Sequence, residues 1–323
     1  MSGTEQGRDG PPGRPWDAEA ARPAVASYPW RSIILITAAA LALYLGARLL
    51  PTGTNLNHMD FRLTGKGALE FCDPANPQFI PVVQLRSPVV LALQADQAPA
   101  INRPVNFTLA LQTAGGKPIG PGDLLVAHTR KMHLLVVDPT LSDYQHIHPE
   151  PGRRAGEWQF ALAPERAGLY RVFADFTPAA TQRGVYALAE FTVPGTVATV
   201  IQSPNHTWQA LGYNFELTLP PSFRAGQPAD LRFDIESQGV VKRPVPLQPV
   251  MGAFAHLVAF DEARSGFAHL HPIETDLARP PAPLHPVLNF KVTIPSPGRY
   301  VIWAQVNLGG KEIFVPFWVD VAP

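Results

Sequence analysis

Hydrophobic and polar positions along the chain fall into two regimes. Near the N-terminus they form one unbroken block. Ser32 to Ala47, SIILITAAALALYLGA, is a run of 16 uncharged residues, with Arg31 before it and Arg48, Leu49, Leu50 and Pro51 after it. Counted to Leu50, with Arg48 snorkelling outward, the stretch has 19 residues. A helix of that length rises roughly 28 Å, close to the ~30 Å hydrocarbon core of a bilayer. Beyond it the pattern changes to short runs interrupted by Pro and Gly. Pro104-Val-Asn-Phe-Thr-Leu-Ala-Leu111 and Pro228-Ala-Asp-Leu-Arg-Phe-Asp-Ile235 alternate with period two, as half-buried strands do. Gly168-Leu-Tyr170-Arg-Val-Phe-Ala-Asp-Phe176 and Gly298-Arg-Tyr300-Val-Ile-Trp-Ala-Gln-Val306 are each a Gly turn feeding an aromatic-rich strand. Closing strands are expected at Val185 to Val193 and Glu312 to Val321. No sustained helical period follows Leu50.

The second regime is written twice. His133-Leu-Leu-Val-Val-Asp138 followed by Tyr144-Gln-His146-Ile-His148-Pro149 matches His256-Leu-Val-Ala-Phe-Asp261 followed by Phe267-Ala-His269-Leu-His271-Pro272. Three His, an Asp, a Pro and an aromatic recur in register at an offset of 123 residues, the period of a duplicated domain. Several short strands per hundred residues, with Pro/Gly turns, describe a β-sandwich of immunoglobulin-like type. The expected fold class is therefore all-β: tandem immunoglobulin-like sandwiches preceded by a single transmembrane helix. The expected layout is a disordered cytoplasmic tail (1–30), the membrane helix (31–50) and a stalk (51–84). Repeat 1 (85–197) and repeat 2 (206–323) follow. Phe79 to Leu85 of the stalk is expected to add a strand to repeat 1.

Candidate chemistry lies on the duplicated hairpin. Asp138-Pro139-Thr140-Leu141-Ser142-Asp143 is turn-forming. A tip between Thr140 and Leu141 puts His133 opposite His148, with His146 two residues away on the same face. The same reasoning gathers His256, His269 and His271. Imidazoles that converge this way suit a transition metal, bound at about 2.0–2.1 Å per nitrogen. Position −5 from the first His is His128 in repeat 1 and Met251 in repeat 2, and Met132 adjoins His133. These three are further candidate ligands, and a thioether leans the choice towards copper, with zinc second. Five residues back along an ideal strand is the wrong face, so His128 needs a bend to reach. The bland alternative is that the histidines hydrogen-bond carbonyls in a partly buried face that also carries Leu135, Val137, Tyr144, Val258, Phe260 and Phe267. Asp138 and Asp261 read as turn initiators rather than acceptors from ligand imidazoles. His285 reads as a solvent-exposed stray, His58 and His206 have no partners in the pattern, and Asn205-His-Thr207 is a weak sequon.

Composition narrows the function. Lys+Arg and Asp+Glu are both 26, which argues against a nucleic-acid partner. With Pro and Gly making up 61 of 323 residues, a helix bundle is excluded. Cys72 is the only cysteine, so there is no internal disulfide framework and no Cys-based zinc finger. Arg14, Arg22 and Arg31 precede the apolar block, which orients the N-terminus to the cytoplasm and the repeats outside.

Met132-His133-Leu-Leu-Val-Val137, His146-Ile-His148-Pro149 and the Gly168 to Phe176 strand, with their counterparts in repeat 2, resemble segments of bacterial exported β-sandwich proteins akin to YtkA-like and CopC-like periplasmic domains. The resemblance covers about 220 residues and implies copper handling at a bacterial inner membrane. The expectation is a membrane-anchored, non-enzymatic periplasmic protein with a three-His metal site in each repeat, for sequestration or delivery. Two competitors are a non-catalytic interaction module with a periplasmic protein partner, and a three-His zinc hydrolase.

Overall fold

The computed structural model describes residues 29–49, 62–63, 69–70, 78–84, 87–200 and 202–323. The chain divides into two compact units, Met1–Thr54 and Asn55–Pro323. In the first, the apolar block forms α1 (Trp30–Leu49), a helix of 20 residues. Its side chains over residues 30–46 are exposed, among them Ile34, Leu35, Leu43 and Leu45. The transmembrane expectation is not supported, because among the described residues no helix is long and apolar enough to cross a membrane. Residues 1–28 of the expected tail and Cys72 lie outside the described residues, and Trp30, expected in the tail, begins α1.

In the second unit, β1 (Arg62–Leu63) and β2 (Leu69–Glu70) form a short antiparallel pair. Repeat 1 contains β3 (Val89–Ala95), β4 (Val105–Thr113), β5 (Met132–Val137), β6 (Tyr144–Ile147), β7 (Glu150–Pro151), β8 (Glu157–Leu162), β9 (Gly168–Phe176) and β10 (Val185–Val193). They make two antiparallel sheets, β3-β4-β8-β7 and β10-β9-β5-β6. Repeat 2 contains β11 (Thr207–Ala210), β12 (Tyr213–Thr218), β13 (Pro228–Ser237), β14 (Leu247–Gln248), β15 (His256–Asp261), β16 (Phe267–Leu270), β17 (Val287–Thr293), β18 (Gly298–Leu308) and β19 (Lys311–Val321). Its sheets are β11-β12-β13-β17 and β14-β18-β15-β16, with β19 also paired to β18.

Each repeat closes around its own apolar core. Phe107, Leu109, Trp158, Tyr170 and Val172 fill the first, and Phe215, Phe233, Phe290, Ile302 and Phe317 fill the second. Strands β5 and β15 are buried on both faces, not one. Leu134 and Val136 point into their own sandwich, while Leu135 and Val137 join a third apolar cluster with Val258, Phe260, Phe267 and Trp303 of repeat 2. The two His-bearing sheets therefore pack against each other. Phe173 stands 5.6 Å from Phe267 and 6.0 Å from Phe260, centroid to centroid. Arginines cross the same junction both ways: Arg171 donates to the Ala263 and Arg264 carbonyls, and Arg264 donates to Leu169 O.

The segment before repeat 1 docks elsewhere than expected. Phe79 belongs to the core of repeat 2, and Gln78 and Ile80 bridge to Thr293 and Phe267. The backbone approach at Ile80 is so close that a Cβ on Gly266 would fall 1.8 Å from the Ile80 carbonyl oxygen. The expected strand from Phe79 to Leu85 is thus a contact with repeat 2, continued by a short 3-10 turn at Val82–Gln84.

Candidate metal centre

The hairpins place the imidazoles in the register expected. Leu134 pairs with Ile147 and Leu135 with His146, which sets His133 opposite His148, and Leu257–Leu270 pairing does the same for His256 and His271. The tip is held by Asp138, whose carboxylate accepts from the backbone N–H groups of Thr140 (2.9 Å), Ser142 (2.8 Å) and Asp143 (2.9 Å). Asp261 accepts from Ser265 N in the same way. Both aspartates are turn residues, as their position in the loop suggests.

In each triad one nitrogen of every imidazole lies within 4.8 Å of the others. In the first, His133 Nδ1 stands 3.0 Å from His146 Nε2 and 3.2 Å from His148 Nε2. In the second, His256 Nδ1 stands 3.3 Å from His269 Nε2. Nitrogens bound to one tetrahedral ion at about 2.05 Å lie about 3.3 Å apart, so the spacing is that of a ligand set.

Protonation follows from the outer nitrogens. His133 Nε2–H donates to Ala127 O (3.1 Å) and His256 Nε2–H to Val250 O (2.9 Å), since a carbonyl can only accept. His146 Nδ1–H donates to Gln305 Oε1 (2.8 Å), and the Gln305 amide is oriented because its NH2 donates to Glu312 Oε2 (2.8 Å). His269 Nδ1 faces Asp175 Oδ2 at 3.7 Å. With these protons on the outside, neutral His133 and His146 turn lone pairs towards each other at 3.0 Å. Protonation of the inner nitrogens is opposed by burial, which lowers His133 to about 4 and His148 to about 3, with neighbouring imidazoles adding repulsion. Burial likewise holds His128, His146, His256 and His271 well below the ordinary imidazole value. Such a cluster is a neutral nitrogen donor set whose repulsion a metal cation relieves.

The two triads adjoin. His146 and His269 rings are 5.6 Å apart and His133 and His269 5.9 Å, against 4.6–5.4 Å between rings of one triad. The outer partners are exchanged between repeats: Gln305 of repeat 2 orients His146 of repeat 1, and Asp175 of repeat 1 faces His269 of repeat 2. Asp175 and Gln305 hold equivalent places, each paired to the first His of its own repeat. Neither stands out in the sequence, although a polar residue recurring between Ala174 and Phe176 and between Ala304 and Val306, at the same place in both repeats, is a signal.

The further ligand candidates divide. Met132 is buried in the core of repeat 1, because residues adjacent along a strand face opposite ways. His128 gains its bend from a two-residue turn in which His128 (φ 47°) and Thr129 (φ 69°) are both left-handed and Ala127 and Arg130 exchange hydrogen bonds. From there it reaches the other repeat: its ring is 3.8 Å from His271 but 6.0 Å from His133. Met251, half-buried, occupies the equivalent turn of repeat 2, with Gly252. His285, expected as a stray, lies 2.9 Å from Asp234 Oδ1 and 3.6 Å from Glu236 Oε1 on the outer sheet of repeat 2. His206 is exposed, and Asn205 of the sequon is occupied with Pro316 O and Trp318 N. His58 lies outside the described residues.

The family described as Domain of unknown function (DUF8832) matches residues 89–197 and again 208–323. The chain belongs to the DUF8832 family. Each DUF8832 segment contains one complete triad, and the first also contains His128. No curated protein matches the chain. Among solved structures, trypsin-activated alpha-2-macroglobulin from Escherichia coli is similar at 14% identity, with a TM-score of 0.23. The match covers 73% of this chain and 18% of that one, and likeness at this level carries no argument.

Proposed function

We propose that this protein binds transition-metal ions, copper first and zinc second, and that it sequesters or delivers them rather than catalysing a reaction. His133, His146 and His148 are one ligand set; His256, His269 and His271 are the other. The observation that carries the reading is the convergence of inner nitrogens at 3.0–3.3 Å while the outer nitrogens of His133, His146 and His256 are engaged in donating. Donor sets made of neutral imidazole, without thiolate or directly ligating carboxylate, follow the nitrogen preference that peaks at Cu(II). Burial argues for storage over turnover: His256 is 0% and His271 4% exposed, which leaves little room for a substrate. A bacterial extracytoplasmic location, with α1 as the attachment, is part of the same proposal and rests on the arginine bias around an exposed apolar helix.

The competing reading, an interaction module with structural histidines, draws support from the carbonyl bonds of His133 and His256. Copper and zinc titration of the full chain separates the two. Saturable binding near two equivalents, lost in His148→Ala/His271→Ala with the fold retained, upholds the metal reading. No binding, with a large loss of stability in the double variant, refutes it.

A further inference from the structure

The junction between the repeats is where the imidazoles gather, not a surface they happen to border. Six ring pairs cross it at centroid distances of 3.8–6.5 Å: His128 with His256, His269 and His271, His133 with His269, and His146 with His256 and His269. His128 Nε2 and His271 Nε2 are both buried, and neither has a hydrogen-bond partner. Two unsatisfied ring nitrogens on rings in contact are costly unless something binds them. The turns themselves touch, with Thr129 Cγ2 4.0 Å from the position a Gly252 Cβ would take.

We infer that the two triads are halves of one binuclear metal centre shared between the repeats, in which His128 of repeat 1 is the fourth imidazole of the repeat 2 site. This rests on the metal reading above and adds to it. The two halves are unequal. The second site has its triad of His256, His269 and His271, with the His128 ring lying against His271 at 3.8 Å and 6.0–6.3 Å from the other two. The residue of repeat 2 equivalent to His128 is Met251, so the first site has three. Gln305 orients His146 across the junction and Asp175 faces His269 across it, so each half has an outer neighbour in the other repeat.

The test is a copper titration of the full chain followed by electron paramagnetic resonance, with His128→Asn alongside. Asn tolerates the left-handed backbone of the turn, so the variant keeps its fold. Two equivalents are expected in two steps. The second should broaden or quench the Cu(II) signal of the first, because neighbouring spins couple. In His128→Asn the tighter step should weaken on the order of a hundredfold, while the weaker step stays. If the second equivalent simply doubles an unchanged signal in the unmodified chain, or the variant leaves both steps as they were, the shared centre is wrong and the metal reading stands. If copper does not bind the unmodified chain at all, both fall.

Discussion

Acidifying the metal-free protein should unfold it through the histidines themselves. His133 is 2% exposed, and burial lowers it from 6.5 to about 4. Between those values the unfolded chain binds a proton at this position and the folded chain does not. Stability therefore rises with pH across that window: the contribution is present in full above pH ~6.5 and gone below pH ~4. At about 1.4 kcal/mol per factor of ten, His133 alone accounts for about 3 kcal/mol. That is a large share of a domain stability of about 5–15 kcal/mol. His148, lowered to about 3, acts in the same direction, as do His256 and His271, which burial also lowers. Thermal unfolding of the full chain in chelator, followed from pH 7.5 to 4.5, should show Tm falling by about 6–12 °C from His133 alone. His133→Gln keeps a donor for Ala127 O but has no proton to gain, and should flatten the profile. A Tm that is level or rising as pH drops through 6.5 to 4.5 refutes the burial argument.

Other perturbations probe single contacts. Phe260→Ala removes a fully buried ring from the junction and should cost about 3–5 kcal/mol; calorimetry should show the repeats melting separately, and one unshifted transition would count against the packing described. Gln305→Leu deprives His146 of its acceptor and should weaken metal binding at the first triad about 10–100-fold while sparing the second, as read by two-step titration. Equal weakening of both would show that Gln305 acts only on stability. Gly266→Ala places a methyl 1.8 Å from Ile80 O, so residues 78–84 should detach, which amide exchange confined to that segment would reveal. Saturating Zn(II) should raise Tm at pH 7.5, and the gain should vanish on acidification, because protons compete for the same nitrogens.

The hairpin register was legible because a side-chain period of two and a turn centre between Thr140 and Leu141 leave one way to pair His133 with His148. The turn role of Asp138 followed from its place in the loop. The junction was not legible. The His-bearing face of β5 reads in sequence as partly buried, but nothing local says that the other repeat is what lies across from Leu135. His128 was visible as a coordinating residue, but its reach depends on two successive left-handed residues, and His-Thr is not a sequence that announces such a turn as Asn-Gly does. The docking of Phe79 on repeat 2 is likewise a long-range choice, made by the close passage at Gly266. The apolar block forms the helix expected of it, whereas the transmembrane part of that expectation is not supported among the described residues.

The apolar layer around the imidazoles also governs time. Phe173, Phe260, Phe267 and Trp303 join the two repeats beside the strands that carry the imidazoles. An ion held there as proposed would exchange only when that layer parts, so its residence would be set by the breathing of a protein joint. Loosening the aromatics would then shorten the dwell of an ion without touching a single ligand.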